Sequence, residues 1–166
     1  IIEQAKPSVL QLFGLAQAVE NHLDRSVRDS GMPIHWALAD ETAGALDRLE
    51  PTVSVALFRI AQEAINNAVR HARPATLAVR LRIEAESLVL DVIDDGCGIL
   101  RPRKRVGSGV ENMKTRARLI SATCTIGTGR NSSGTTVTVR LPLAHQGSTA
   151  APCEGGTGDE SPDRGG

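Results

Sequence analysis

The sequence predicts an α+β protein: a two-layer α/β sandwich whose mixed, mainly antiparallel sheet carries helices on one face. Three observations point there. Two stretches, 77–93 and 124–141, each read as a pair of short strands joined by a turn, and helical patterns separate and precede them. The strand at 77–83 alternates apolar and polar residues, so it should bury one face and wet the other, with the other face of the sheet largely solvated. Aromatics make up 2% of the residues and apolar residues 40%, so the core must be aliphatic. A chain of 166 residues suits one such domain.

Pro7 opens a helical pattern in which Leu10, Phe13, Leu15, Val19 and Leu23 recur mostly at intervals of three or four. Met32-Pro33 breaks it, and 34–38 reads as a short strand. Pro51 starts the strongest helix. Val53, Ala56, Leu57, Ile60, Ala61, Ala64, Ile65, Ala68 and Val69 give it one wide apolar face, and Pro74 ends it. Leu77, Val79, Leu81 and Ile83 then alternate with Ala78, Arg80 and Arg82. Glu84-Ala85-Glu86-Ser87 is the predicted hairpin turn, and the partner strand runs to Ile93. A basic, Pro-containing loop at 100–108 leads to a helix at 110–119. Strands follow at 124–126 and 135–141, with a Gly-, Ser- and Asn-rich turn between them. After Pro142 the composition shifts to small and acidic residues, and 145–166 reads as a disordered tail.

Composition removes several function classes. A formal net charge of zero argues against general electrostatic binding to nucleic acid or anionic lipid. No apolar run is long enough to span a membrane, so no direct membrane contact is expected. Cys97, Cys124 and Cys153 are far apart and odd in number, which fits neither a disulfide framework nor a zinc site and predicts a reducing, cytoplasmic setting. The chain begins Ile1-Ile2-Glu3, without Met, inside a helical pattern, and so reads as part of a longer protein.

Four segments carry chemistry. The first is Asp94-Asp95-Gly96-Cys97-Gly98, a carboxylate delivered by an apolar strand and followed by glycines that permit close backbone approach. Asp94 shares the strand parity of Leu88, Leu90 and Val92 and should point to the core side, whereas Asp95 has the opposite parity and should face solvent. The second is the polar stripe of the Pro51 helix, where Glu63, Asn67 and Arg70-His71 lie on one line, a turn apart. Such a row fits a hydrated Mg²⁺ beside phosphates, or a solvated helix face. The third is Gly107-Ser108-Gly109, which exposes amides at a helix start where phosphate could sit, or is an ordinary loop. The fourth is Gly134-Thr135-Thr136, whose hydroxyls could reach Asp94, or which simply turns into a strand.

In this order and spacing the segments resemble the catalytic ATP-binding domain of bacterial sensor histidine kinases of the nitrate-sensor-like subgroup, within the wider family that includes gyrase, Hsp90 and MutL. Residues 58–72, from Phe58 through Gln62-Glu63, Asn66-Asn67 and Arg70-His71-Ala72, resemble that subgroup's N box. Residues 94–99 resemble its first glycine box, 107–116 its second, and Gly134-Thr135 with the strand to Pro142 the end of the domain. The resemblance covers 7–142 and implies the Bergerat ATP-binding fold.

It also implies roles. Asp94 would accept a hydrogen bond from the adenine amino group, with Gly96 and Gly98 leaving space for the base. Asn67 would coordinate Mg²⁺ bridging the phosphates of ATP, and Glu63 would act as a base or help order the metal. Arg70 would contact phosphate, His71 would line the nucleotide, Gly107 and Gly109 would seat phosphates, and Thr135 would support Asp94. Such catalysis is mostly positioning and charge stabilisation.

The sequence departs from the family pattern in places. Val110 replaces a usual Leu, Ile120-Ser121 stands where a Gly pair is common, and the loop at 100–108 is short for an ATP lid. Its Arg101, Arg103, Lys104 and Arg105 read as solvated charges. None of His22, His35, His71 and His145 sits where the phosphoaccepting histidine belongs, and His22 reads as a surface residue.

The expected organisation is therefore 1–30 as a helical linker from an absent dimerisation domain, 31–143 as the ATP-binding domain, and 144–166 as the tail. The expected function is donation of the ATP γ-phosphoryl group to a histidine on that dimerisation domain in a homodimeric kinase, which would serve a response regulator. This chain alone should bind ATP without phosphorylating itself. The rivals are an anti-sigma-factor-type serine kinase of the same fold and a non-catalytic nucleotide-binding regulatory module.

Overall fold

Alternation and helical periodicity place a five-stranded sheet under three helices in the computed structural model, which describes residues 8–98, 108–129 and 133–143. The basic loop, Gly107 and the predicted tail lie outside the described residues. Helix α1 spans Ser8–Ser30, α2 Pro51–Asn67 and α3 Ser108–Leu119. The strands are β1 (His35–Glu41), β2 (Thr76–Glu84), β3 (Ser87–Asp94), β4 (Thr123–Thr128) and β5 (Thr135–Pro142).

The sheet order is β1-β2-β3-β5-β4. Strand β1 runs parallel to β2, and every other pairing is antiparallel. A parallel pair needs a crossover, and α2 supplies it between β1 and β2. The turn between β2 and β3 falls at the predicted place. Ala85 (φ 46°) and Glu86 (φ 58°) both adopt left-handed conformations, the arrangement that matches the twist of a tight hairpin.

Register decides what the helices cover. Residues directly opposite in a ladder share a face. Leu81, Leu90 and Val139 form one apolar row, and Val79, Val92 and Val137 the next. The following row is Leu77, Asp94 and Thr135. The core comprises the two apolar rows and Leu77 together with Leu57, Ile60, Ala61, Ala64 and Ile65 of α2 and Met113 and Ala117 of α3. Leu15, Ala18, Val19, Leu23 and Val27 of α1 belong to the same cluster, so α1 beyond Gly14 packs with the sheet.

Gly14 (φ 82°, ψ 175°) interrupts α1 and resets its rotation. Phe13 was expected on the apolar face, but the break leaves it 67% exposed while Leu15 is buried. Ile83, another expected core residue, is 38% exposed at the sheet's far end.

The opposite face of the sheet is only partly wet. Arg80 and Glu84 of β2 are exposed, but Val89 and Asp91 of the central β3 are buried, where a largely solvated face was expected, and charge pairs hold this side. Arg82 bridges the buried Asp91, and Thr138 donates its hydroxyl to the same carboxylate at 2.7 Å. Glu84 accepts from Arg82 and Arg140, which keep its carboxyl below the usual range.

Candidate functional site

The row Leu77–Asp94–Thr135 ends the apolar face at one edge of the helical layer. A cavity of about 550 Å³ opens there. This lies within the usual size range of small-ligand sites. Ala64, Asn67, Ala68, His71 and Ala72 form one wall, and Val92, Asp94, Cys97, Gly98, Thr135 and Val137 another. Gly109, Val110, Met113 and Ile126 close it. The walls are therefore mainly aliphatic, with a few polar groups at defined points.

Asp94 is 6% exposed. The Gly96 amide donates to its Oδ1 at 2.9 Å. Burial raises its carboxyl above the ordinary value, against the opposing pull of the Gly96 and Thr135 amides. A buried carboxylate with spare acceptor capacity favours a donor from a ligand. Thr135 assists Asp94 through the main chain, as its ladder partner, and no hydroxyl contact between them exists among the described residues.

The glycines divide by what lies opposite each. Gly98 (φ 73°) lines the cavity, but Gly96 does not. A Cβ on Gly96 would overlap the carbonyl of Ala72, so this glycine lets the turn pack onto the end of α2 and leaves no room for a base. Gly134 (φ 79°) passes so close to the Asp94 carbonyl that no side chain fits.

Helix α2 continues into a π turn at Ala68–Ala72. This wider turn closes i→i+5 and lags behind α-helical rotation. His71 stays beside Asn67 on the cavity wall, while Arg70 is carried away from that line. Arg70, expected to contact phosphate, is not among the residues lining this cavity and instead lines a separate polar groove of about 610 Å³ with His22, Arg25, Gln62 and Asn66. Glu63 does not line the cavity but flanks it. A Cβ on Gly109 would overlap Glu63 Oε1 and come within 3.4 Å of Asn67 Nδ2, so both side chains converge on the start of α3.

Three residues behave differently from their sequence reading. His22 is half-buried. Its Nε2 lies 3.1 Å from Asn66 Oδ1 and its ring meets Phe58 edge-on, and burial lowers its basicity. Cys97, to which the motif assigns no role, lines the cavity. Asp95 is exposed, as parity predicts, yet it is not idle: its Oδ1 accepts from the Ala75 and Thr76 amides at 2.8 Å each. Strand parity could have found the aliphatic wall, since Val92 and Val137 share the face of Asp94. The contributions of Val110 and Met113 depend on how α3 docks.

This architecture is that of a nucleotide-binding ATPase domain, and sequence comparison agrees. The model for histidine kinase-, DNA gyrase B- and HSP90-like ATPases matches residues 52–145, and the chain belongs to this family. Within it, the chain is 31% identical over 144 residues to the signal transduction histidine-protein kinase/phosphatase DegS of Bacillus subtilis, covering 84% of this chain and 37% of that protein. It is 32% identical over 145 residues to the corresponding enzyme UhpB of Salmonella typhimurium, covering 86% and 27%. The resemblance to sensor histidine kinases therefore holds, and the chain spans less than half the length of these relatives. The histidine kinase domain of the Erythrobacter litoralis blue-light activated histidine kinase has the same fold. It superposes with a TM-score of 0.66 at 20% identity, covering 80% of this chain and 62% of that one. No helix among the described residues is long and apolar enough to cross a membrane.

Proposed function

We propose that the chain is the catalytic ATP-binding domain of a two-component sensor histidine kinase, and that it donates the ATP γ-phosphoryl group to a histidine on a separate dimerisation domain. The observation that carries this reading is the placement of Asp94, a buried acceptor at the inner end of an aliphatic cavity whose other wall presents Asn67 and His71. Adenine would lie between Val92, Val137, Ile126 and Met113, with its amino group donating to Asp94. The phosphates would extend toward Asn67, His71 and the start of α3, where the helix dipole favours negative charge.

The residues present fit Mg²⁺. Glu63 brings a carboxylate oxygen to the start of α3, and the Asn67 side-chain amide beside it, which presents Nδ2 there, would turn its oxygen to the metal. Mg²⁺ commonly takes one or two protein oxygens together with phosphate and water. The ion would neutralise charge on the phosphates. Asn67 would ligate it and Glu63 would order its water shell. Arg70 has no part in this arrangement.

The helical stretch within 1–30 would lead from the dimerisation domain, and the whole protein would act in the cytoplasm as a homodimer that serves a response regulator. The test is phosphotransfer. With labelled ATP, the chain alone should remain unlabelled, and a separately supplied dimerisation domain should acquire label only when Asp94 is intact. Label transfer that is unchanged by Asp94→Asn would overturn the reading.

A further inference from the structure

We propose that Asp95 is a positioning residue that holds the neighbouring Asp94 in its base-reading orientation. This rests on the nucleotide reading of Asp94 given above. Asp95 does not line the cavity, and its carboxylate faces the Ala75 and Thr76 amides. Its effect would run through the main chain.

The turn 95–97 is tied at two points, to the start of β2 and to the π turn that ends the preceding helix. On one side, Asp95 Oδ1 accepts from the Ala75 and Thr76 amides at 2.8 Å each, and the Asp95 amide donates to the Thr76 carbonyl at 3.3 Å. On the other, the Cys97 amide donates to the Ala72 carbonyl at 2.9 Å. Gly96 lies between these ties, pressed against Ala72 where a Cβ would overlap. The Gly96 amide is the group that donates to Asp94 Oδ1. Fixing the turn at 95 and 97 therefore aims the Gly96 N–H, and that N–H orients the Asp94 carboxylate. A carboxylate offers about four acceptor positions, so with the Gly96 and Thr135 amides in place acceptor capacity remains for a ligand donor.

The segment that Asp95 grips needs holding. Arg73 adopts a left-handed conformation (φ 45°) and Pro74 has no amide proton, so the chain reverses here from helix to strand without a bond from residue 74. The Ala75 carbonyl in turn accepts from His35 at 2.8 Å. Asp95 thus joins the end of β3 to the starts of β1 and β2. Charge-assisted bonds to backbone amides are stronger than neutral ones, and the two amides hold the Asp95 carboxyl below its ordinary range.

The test compares ATP with purine riboside triphosphate, which lacks the 6-amino group, by calorimetry on the 166-residue chain. The parent should prefer ATP by about tenfold or more, the value of a hydrogen bond to a charged group. Asp95→Ala should collapse that preference toward one by weakening ATP, with little change for the analogue. Asp95→Asn keeps a weaker acceptor and should fall between parent and Ala. Equal weakening of both nucleotides, or none, would overturn the positioning role. If Asp95→Ala does not fold, an Asp95→Asn preference equal to the parent's overturns it. A parent without any preference would instead overturn the reading of Asp94 itself.

Discussion

Asp94 lies directly across the ladder from Leu77, one rung beyond Val92 and Val79, on a face that is otherwise apolar. The helices end at that rung, so the carboxylate meets a cavity instead of the core.

This placement carries a cost. A carboxyl whose folded value is raised by burial gains most from folding when protonated; that contribution is complete below the ordinary carboxylate range and lost as pH rises through the raised value. At neutral pH the ionised Asp94 opposes folding. Asp94→Asn should therefore keep or raise the melting temperature of the nucleotide-free chain while weakening ATP binding about 10- to 100-fold. Melting curves and calorimetry on the same sample check both halves.

Asn67 stands with Glu63 at the start of α3. Asn67→Ala should weaken nucleotide binding in the presence of Mg²⁺ more than in its absence. Calorimetry with and without the metal measures the difference, and equal effects would remove the metal role.

Leu23 is fully buried between α1 and the rest of the core, whereas Phe13 is 67% exposed. Leu23→Ala should destabilise the chain by about 2–5 kcal/mol. Phe13→Ala should stay within about 0.5 kcal/mol, although phenylalanine is the larger side chain. Denaturant titration of the two variants decides whether α1 beyond Gly14 belongs to the folding unit.

Arg82 and Thr138 share the buried carboxylate of Asp91 on the face of the sheet opposite the Leu81, Leu90 and Val139 row. Arg82→Ala leaves that charge with the Thr138 hydroxyl and should cost about 1–3 kcal/mol. Thr138→Val should cost less, since the Arg82 bridge survives. Urea midpoints rank the two.

Much of the fold was legible because its signals are local. Two-residue alternation announced β2 and β5, an apolar run announced β3, and the wide apolar stripe of 53–69 announced α2. The parity of Asp94 with Val92 placed it on the core side before any topology was known. The site was legible less evenly. Asn67, His71, Asp94, Gly98, Gly109 and Thr135 come together at the cavity, and Glu63 stands at its flank. Arg70 does not join them, because an ideal helical wheel cannot foresee the π turn that carries it to the other side of α2.

By itself, then, the sequence determined which segments are strands and helices, which face each buries, and which acidic residue faces inward. These follow from periodicity, a property of neighbours along the chain. Only the tertiary structure decided that β1 joins β2 in parallel, that Gly96 packs on Ala72 while Gly98 opens to the cavity, that His22 is half-buried against Asn66 and Phe58, and that the exposed Asp95 grips two amides. Each depends on the group that lies across from the residue, and that group comes from a distant part of the chain.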